Sequence, residues 1–526
     1  MLVLARIVEK AELSAVNEPT MTDWYQAKIL RLCELNNVED KKDVLTDIKL
    51  KFGALNNRDA EQVARSLDYG PFYSQLTSND TNDREVVEQI CDILAILFSI
   101  LEPGEIYQKY LVQVSALITN PHACVRLLVL REFLRTALHP EKIFQLLADT
   151  TLLISIINRI GDDDLNVAEC AMSIVKKIGE NPNGLCILYK GELLRTFARL
   201  LQNDTISFRI YEVIVDIAKT SHEALEVSAQ SGFLNSLINV LENEDILLQL
   251  NALEILTQLA VFEEGLSYLE QQDVLNKLVQ KIAHVDDNPL SNLLIPGLMK
   301  FFGNVARHWP NELFSRYPVV ISALFDVIDS GDQNILGPAL DTLGFVSASI
   351  EGKYALQALG DAMPSALKKI AEIVQKMPTA LRIRGLNNLA LILEVKRVEQ
   401  DNRILSLTKL WFDSLCDDPL GMIVEICRQP FADIRQAGLE VLAVISSQVW
   451  GQEYISTYPG LVEFLLDRNI ESFKECKNAK YEVVKRLSQA ERDIFDADTI
   501  QKFKRFVHEG PYFVEVNTEV AIEGAS

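Results

Sequence analysis

The feature that most constrains this chain is an internal repeat. Four segments can be laid over one another: NVAECAMSIVKKIGENPNGL (166–185), SFRIYEVIVDIAKTSHEAL (207–225), LQLNALEILTQLAVFEEGL (248–266) and LGPALDTLGFVSASIEGK (336–353). In each, a core position is followed thirteen residues later by a small residue at a turn. The pairs are Ala171 and Gly184, Tyr211 and Ala224, Ala252 and Gly265, Ala339 and Gly352. The first three copies are offset by 40 (211 − 171) and 41 (252 − 211), and the next offset of 87 (339 − 252) leaves room for one copy between. That copy is IPGLMKFFGNVARHWPNELF (295–314), and 120–137 and 430–452 carry further ones.

Within the copies apolar residues recur three and four apart, which is helical spacing. Asn, Asp, Gly and Pro punctuate them, and strand-like alternation is nearly absent before the last sixteen residues. A helical period of roughly 40–47 residues is the mark of armadillo and HEAT repeats. One helical hairpin cannot cover its own apolar face, so neighbours stack and bury a continuous core. The expected fold is therefore all-α: an armadillo/HEAT-like helical-repeat solenoid, curved, with an irregular N-terminal cap and an extended C-terminal tail. Small residues such as Ala171, Ala252 and Gly297 are expected to let neighbouring helices approach closely.

Three stretches are expected. Residues 1–119 read as irregular N-terminal repeats, with helical pattern at 24–35, 58–67 and 84–101 broken by Asn36-Asn37 and Asn56-Asn57. Residues 120–510 form the repeat array. Residues 511–526, PYFVEVNTEVAIEGAS, break from helix at Gly510-Pro511 and continue extended, with Tyr512 and Phe513 anchoring a docked start.

Composition narrows the function. The 526 residues carry 74 acidic and 51 basic side chains, a formal net charge of −23. Such a surface repels phosphate backbones and anionic headgroups, so neither nucleic acid nor membrane is an expected partner. Lys502, Lys504 and Arg505 are the best local basic group, and beside Glu509 they read as a solvated helix face. A basic protein partner suits the balance better. The eight cysteines form no CxxC pair and read mostly as buried free thiols in a reducing compartment. The start, MLVLARIVEK, lacks the pattern of a signal peptide, and IEGAS at the end carries no lipidation or retention signal. Cytosol or nucleus is the expected compartment, and the Asn79 and Asn203 sequons are idle there.

Catalytic motifs are absent from the sequence. Neither GxGxxG nor GxxxxGK[ST] occurs, nor a GxSxG elbow. No two of the six histidines stand four apart, which rules out HExxH, and His222-Glu223 reads as an exposed pair at a turn. The acidic groups Asp162-Asp163-Asp164, Asp286-Asp287 and Asp417-Asp418 fall at inter-helix turns, where Asp caps free backbone N–H groups. The expectation is a protein that binds, with no catalytic, cofactor or metal residues.

One helix per repeat offers a surface. Its outward positions, four apart, are Glu212 and Asp216, then Glu254 and Gln258, then Lys300 and Asn304, with Asp341 continuing the first column. Side chains at i and i+4 share a helix face. Two readings stand: a polar ladder with acidic stretches for a basic partner, Asn304 hydrogen-bonding an incoming backbone, or an ordinary solvated face.

Several stretches have no place in a repeat consensus. IPGLMKFFGNVA (295–306), RYPVV (316–320), WFDSLCDDPL (411–420), PGLVEFLLDRN (459–469), NAKYEVVKRL (478–487) and EGPYFVEVNTEVAIEGA (509–525), with LDYGPFYSQL (67–76), closely resemble the family of 26S proteasome non-ATPase regulatory subunit 5. The resemblance implies an assembly chaperone, absent from the mature particle and a monomer when free. It implies binding to the C-terminal domain of one base ATPase, regulatory subunit 7, and escort of a module with regulatory subunit 4 and non-ATPase subunit 2. It brings no catalytic residues. The rivals are an armadillo-type adaptor, a stable structural scaffold subunit and an enzyme. The adaptor expects regular groove tryptophans, whereas Trp24, Trp309, Trp411 and Trp450 are off the aligned positions.

Overall fold

The structure, a computed structural model, describes residues 21–77, 83–283, 293–490 and 493–514. The expectations for MLVLARIVEK, Asn79, His284, Asp286-Asp287 and residues 515–526 lie outside the described residues. Among the described residues every regular element is helical. They fall into two compact units, Met1–Asn239 and Val240–Ser526.

The backbone of each unit is a ladder of helices packed in sequence order. In the first unit the ladder is α1 (Val38–Gly53), α2 (Arg84–Ile100), α3 (Ala123–Ala137), α4 (Leu165–Glu180) and α5 (Asp204–Ala218), each against the next. In the second it is α6 (Ile246–Ala260), α7 (Ile295–His308), α8 (Gln333–Val346), α9 (Thr379–Leu393), α10 (Ala432–Ser446) and α11 (Lys474–Leu487). A second layer covers the ladder. In the second unit it runs through Val274–Ala283, Pro318–Ser330, Ala362–Lys376, Asn402–Asp413 and Val449–Thr457, again each on the next. This two-layer stack is the expected helical-repeat solenoid. The ladder already begins at Val38, ahead of the region where the repeat is legible in sequence.

The aligned segments are the ladder helices. Ala171, Ala252 and Ala339 are fully buried and Tyr211 nearly so. The small residue thirteen positions on opens the short helix that follows. At Gly184, Gly265 and Gly352 an added Cβ would sit far inside van der Waals contact of the carbonyl oxygen six residues back: Ile178, Leu259 and Val346. The chain doubles back too tightly for a larger side chain. Gly451 meets the Ile445 carbonyl in the same way, two repeats beyond the aligned four. Close approach holds between ladder helices too. A Cβ on Gly297 of α7 would lie 2.6 Å from Leu250 Cδ2 of α6, and one on Gly303 3.2 Å from the Thr342 Cα of α8. Thr342 Oγ1 donates to the Met299 carbonyl across that α7–α8 contact at 2.9 Å.

Helix starts follow the capping chemistry read from sequence. Asp83, Asp164, Asp245 and Asp332 accept backbone N–H bonds at the starts of α2, α4, α6 and α8. Asn203 caps α5, so that sequon side chain is spent on backbone. Asp418 caps the helix Pro419–Cys427.

A recurring buried ion pair ties successive repeats. Arg126 of α3 donates to the carbonyls of Asn120 and Pro121 and to Asp162 Oδ1 at 2.7 Å. Arg435 of α10 repeats this with Gln429, Pro430 and Glu471. Both acids are almost fully buried. Each arginine thus fills orphan carbonyls before its own helix and neutralises an acid before the next, which offsets the desolvation of both charges. The sequence signal is Pro-x-Ala-x-(Val/Ile)-Arg, at 121–126 and 430–435, a pattern that apolar spacing does not reveal.

The start of the C-terminal tail is docked. Arg468 donates to the Gly510 and Phe506 carbonyls at 2.7 and 2.9 Å, and its guanidinium lies over the rings of Phe506 and Phe513. The Tyr512 hydroxyl donates to Asn478 Oδ1 at 2.7 Å. Lys502 and Arg505 pair with Asp498 and Glu509 on their own helix, as a solvated face does.

Candidate protein-binding surface

The predicted surface residues fall in two groups. Glu212 and Asp216 lie on α5 in the first unit, and Glu254, Gln258, Lys300, Asn304 and Asp341 on α6, α7 and α8 in the second. In the first unit, Glu212 is exposed and Asp216 half-buried. They line a cavity of about 500 Å³ between α4 and α5, with Leu165, Ala168, Met172 and Val213 as its apolar part and Glu169, Lys176 and Arg209 beside them. Asp216 is already answered from within. Lys176 of α4 reaches it at 3.0 Å and Lys219 at 2.8 Å. Burial works against its charge, but these lysine hydrogen bonds prevail and hold its carboxyl below the usual range. Glu212 goes the other way: burial and then the neighbouring Asp216 raise it.

In the second unit the columns also pair across the ladder. Lys300 of α7 bonds Glu254 of α6 at 2.6 and 2.8 Å. Arg384 of α9 reaches Asp341 of α8 through Nε at 2.8 Å, and Asn388 Nδ2 donates to the other oxygen at 2.7 Å. Asn304 donates its amide to the Lys300 carbonyl of its own helix at 2.8 Å, so that donor is spent within the helix. The repeat period therefore sets acid against base one rung along. In each unit inter-helix ion pairs join the rungs, and of the four predicted acids Glu212 has no bonded base among the described residues.

Other candidates resolve plainly. His222 is an exposed residue at a helix start, 3.5 Å from Glu226. Among the described residues no group of His, Cys, Asp and Glu could hold a metal ion, and no helix is long and apolar enough to cross a membrane. The cysteines correct the expectation of mostly buried thiols: Cys33 and Cys186 are exposed, Cys124 and Cys416 half-buried, and only Cys91, Cys170, Cys427 and Cys476 buried. Cys33 and Cys186 sit on the solvent side of their helices, which apolar flanking residues do not betray.

The family comparison bears on the whole of this surface. The profile of the family described as proteasome non-ATPase 26S subunit matches residues 21–526. The chain belongs to that family. Its relatives in the proteasome non-ATPase 26S subunit family include 26S proteasome non-ATPase regulatory subunit 5 of Homo sapiens, 31% identical over 498 residues covering 94% of this chain and 98% of the relative. The protein of the same name from Bos taurus is 32% identical over the same shares. Membership gives the chain a proteasome-related role. The resemblance carried by WFDSLCDDPL and EGPYFVEV is thereby borne out. Among solved structures, importin beta in a polyethylene glycol condition matches with a TM-score of 0.54 at 12% identity, over 91% of this chain and 67% of that one. That likeness is one of fold alone: both are stacked helical repeats.

Proposed function

We propose that this protein is a proteasome assembly chaperone. It binds the C-terminal domain of a base ATPase, regulatory subunit 7, escorts a precursor module that also holds regulatory subunit 4 and non-ATPase subunit 2, and leaves before the 26S particle is complete. The reading rests on one observation above the others, the near end-to-end match to non-ATPase regulatory subunit 5 relatives. It is a non-catalytic role in the cytosol or nucleus, carried out by a monomer when free, and its partners are proteasome components. Stacked helical rungs suit it physically, because within each unit they present a surface whose register does not depend on the partner. Charge complementarity then speeds encounter and filters partners more than it adds affinity.

The test is a pull-down from cell lysate with tagged full-length protein, followed by size fractionation and identification of the captured chains. Free base subunits with regulatory subunit 7 most enriched, and no proteolytic core, support the chaperone. Recovery of complete proteasomes would make it a stable scaffold subunit, and recovery of transport cargo an armadillo-type adaptor.

A further inference from the structure

We propose that Cys91 and Cys124 form an oxidisable dithiol, a modification site at which a hydroperoxide closes a disulfide between α2 and α3. The inference is independent of the chaperone reading. The two helices are consecutive rungs in direct contact. The two thiols are neighbours across that contact and both line one cavity of about 290 Å³, shared with Asp92, Arg131 and Arg135. Cys91 is 7% exposed, whereas Cys124 is half-buried on the same cavity wall, with Arg131 exposed beside it. A small oxidant thus has a space to occupy and two sulfurs to meet in it.

The pair is also electronically asymmetric. The neighbouring Cys91 thiol is the largest influence on Cys124 and brings it down to about 7, against burial and the nearby Glu88 carboxylate. Cys91 is pushed up by the Cys124 sulfur beside it, by its own burial and by Asp92 and Glu88. Cys124 is therefore the thiol that ionises first, and Cys91 keeps its proton. Thiolate is the form that attacks a peroxide. The Cys124 sulfur takes one oxygen of the hydroperoxide as the O–O bond breaks, giving a sulfenic acid, and the departing alkoxide or hydroxide takes the Cys91 proton. The Cys91 thiolate then attacks the Cys124 sulfur. The S–S bond forms, the S–O bond breaks, and hydroxide leaves to be protonated by the proton Cys124 first gave to solvent. Two thiols and one hydroperoxide yield a disulfide, an alcohol or water, and a water, with two electrons passing from sulfur to oxygen.

No other cysteines offer this combination. Cys427 and Cys476 are both fully buried, and burial raises both thiols. Cys170 is buried, its thiol pushed up to about 11 by that burial. Cys33 and Cys186 are exposed on separate helices, Met21–Glu34 and Pro182–Leu188.

The decisive experiment is peptide mapping of the full-length protein after hydrogen peroxide and alkylation. Trypsin cleaves after Arg84, Lys109 and Arg126, so Cys91 and Cys124 lie on separate peptides, 85–109 and 110–126, each with no other cysteine. The expected product is these two peptides joined, lighter than their sum by two hydrogens and separated by a dithiol reductant. Its rate should rise through a pH midpoint close to about 7, the Cys124 value. In Cys91→Ala, dimedone should trap a sulfenic acid on Cys124. Alkylation of both cysteines while Cys33 and Cys186 oxidise, or a bridge from either cysteine to a third, would overturn the proposal without recourse to any variant.

Discussion

At the scale of single residues, the least expected group is Lys353. Its side chain is 1% exposed, and its amine donates to the Ser347 and Leu391 carbonyls with no carboxylate bonded to it. Burial brings its pKa down to about 7, against the pull of Glu394 and Glu399. An unfolded lysine titrates near 10.4. Between those values the unfolded chain binds a proton that the folded one releases, so folding stability rises with pH across the window and is lowest below it. Lys353→Met removes this slope. Urea unfolding of both proteins at about pH 6.5 and about pH 9.5 should show the wild type gaining ~2–3 kcal/mol on the variant. An unchanging difference between them would mean that the amine is not held uncharged. Nothing in the local sequence, IEGKYAL, marks this lysine as buried, because burial is conferred by the rungs packed over it.

At the scale of the helical element, the repeat is held by what its turns cannot accommodate. The glycine thirteen residues after the core position is needed for space, not for a left-handed backbone: Gly265 and Gly352 are absent from the positive-φ residues, yet their Cβ positions coincide with a carbonyl oxygen. Gly53, at the end of α1, meets nothing within 4 Å. The same substitution should therefore have opposite signs. Gly265→Ala should cost ~1–3 kcal/mol by overpacking the turn. Gly53→Ala should be neutral or stabilise by ~0.4–1 kcal/mol through the unfolded chain. Denaturant midpoints of the two variants check this, and a stable Gly265→Ala would show that the turn opens freely. The turn glycines were legible in the sequence as a recurring small residue. The Arg126–Asp162 and Arg435–Glu471 ties were not, because their partners stand 36 residues apart and meet only when two rungs stack.

At the scale of the whole molecule, the question is how an acidic surface selects a partner. With Asp216 bonded to Lys176 and Lys219, and Glu254 to Lys300, an incoming cation competes with bases already in place. An exposed pair such as Lys300–Glu254 contributes little to stability, on the order of 0–1 kcal/mol, so it yields to a partner at low cost. Reversing Glu212, Asp216 and Glu254 to lysine together should weaken binding to the proposed partner, regulatory subunit 7, by about tenfold and flatten its salt dependence. Glu212→Lys alone should account for most of that loss, since Glu212 has no bonded base to release among the described residues. Titration by calorimetry at two salt concentrations reads both effects, and unchanged affinity at low salt would sink the assignment of these residues.

The sequence by itself determined the helical-repeat class, the place of ladder helices α3 to α8 and α10, the caps at Asp164 and Asp418, and the small turn residues. All of these are local properties, set by apolar spacing three and four apart and by backbone chemistry within a few residues. It also carried the family resemblance, in stretches no repeat consensus explains. Which charges neutralise one another, which lysine loses its proton and which two cysteines become neighbours was decided only by tertiary structure. Those pairings join residues about one repeat apart on adjacent helices, and the register between such helices is set by how their buried faces interlock, not by any pattern along one of them.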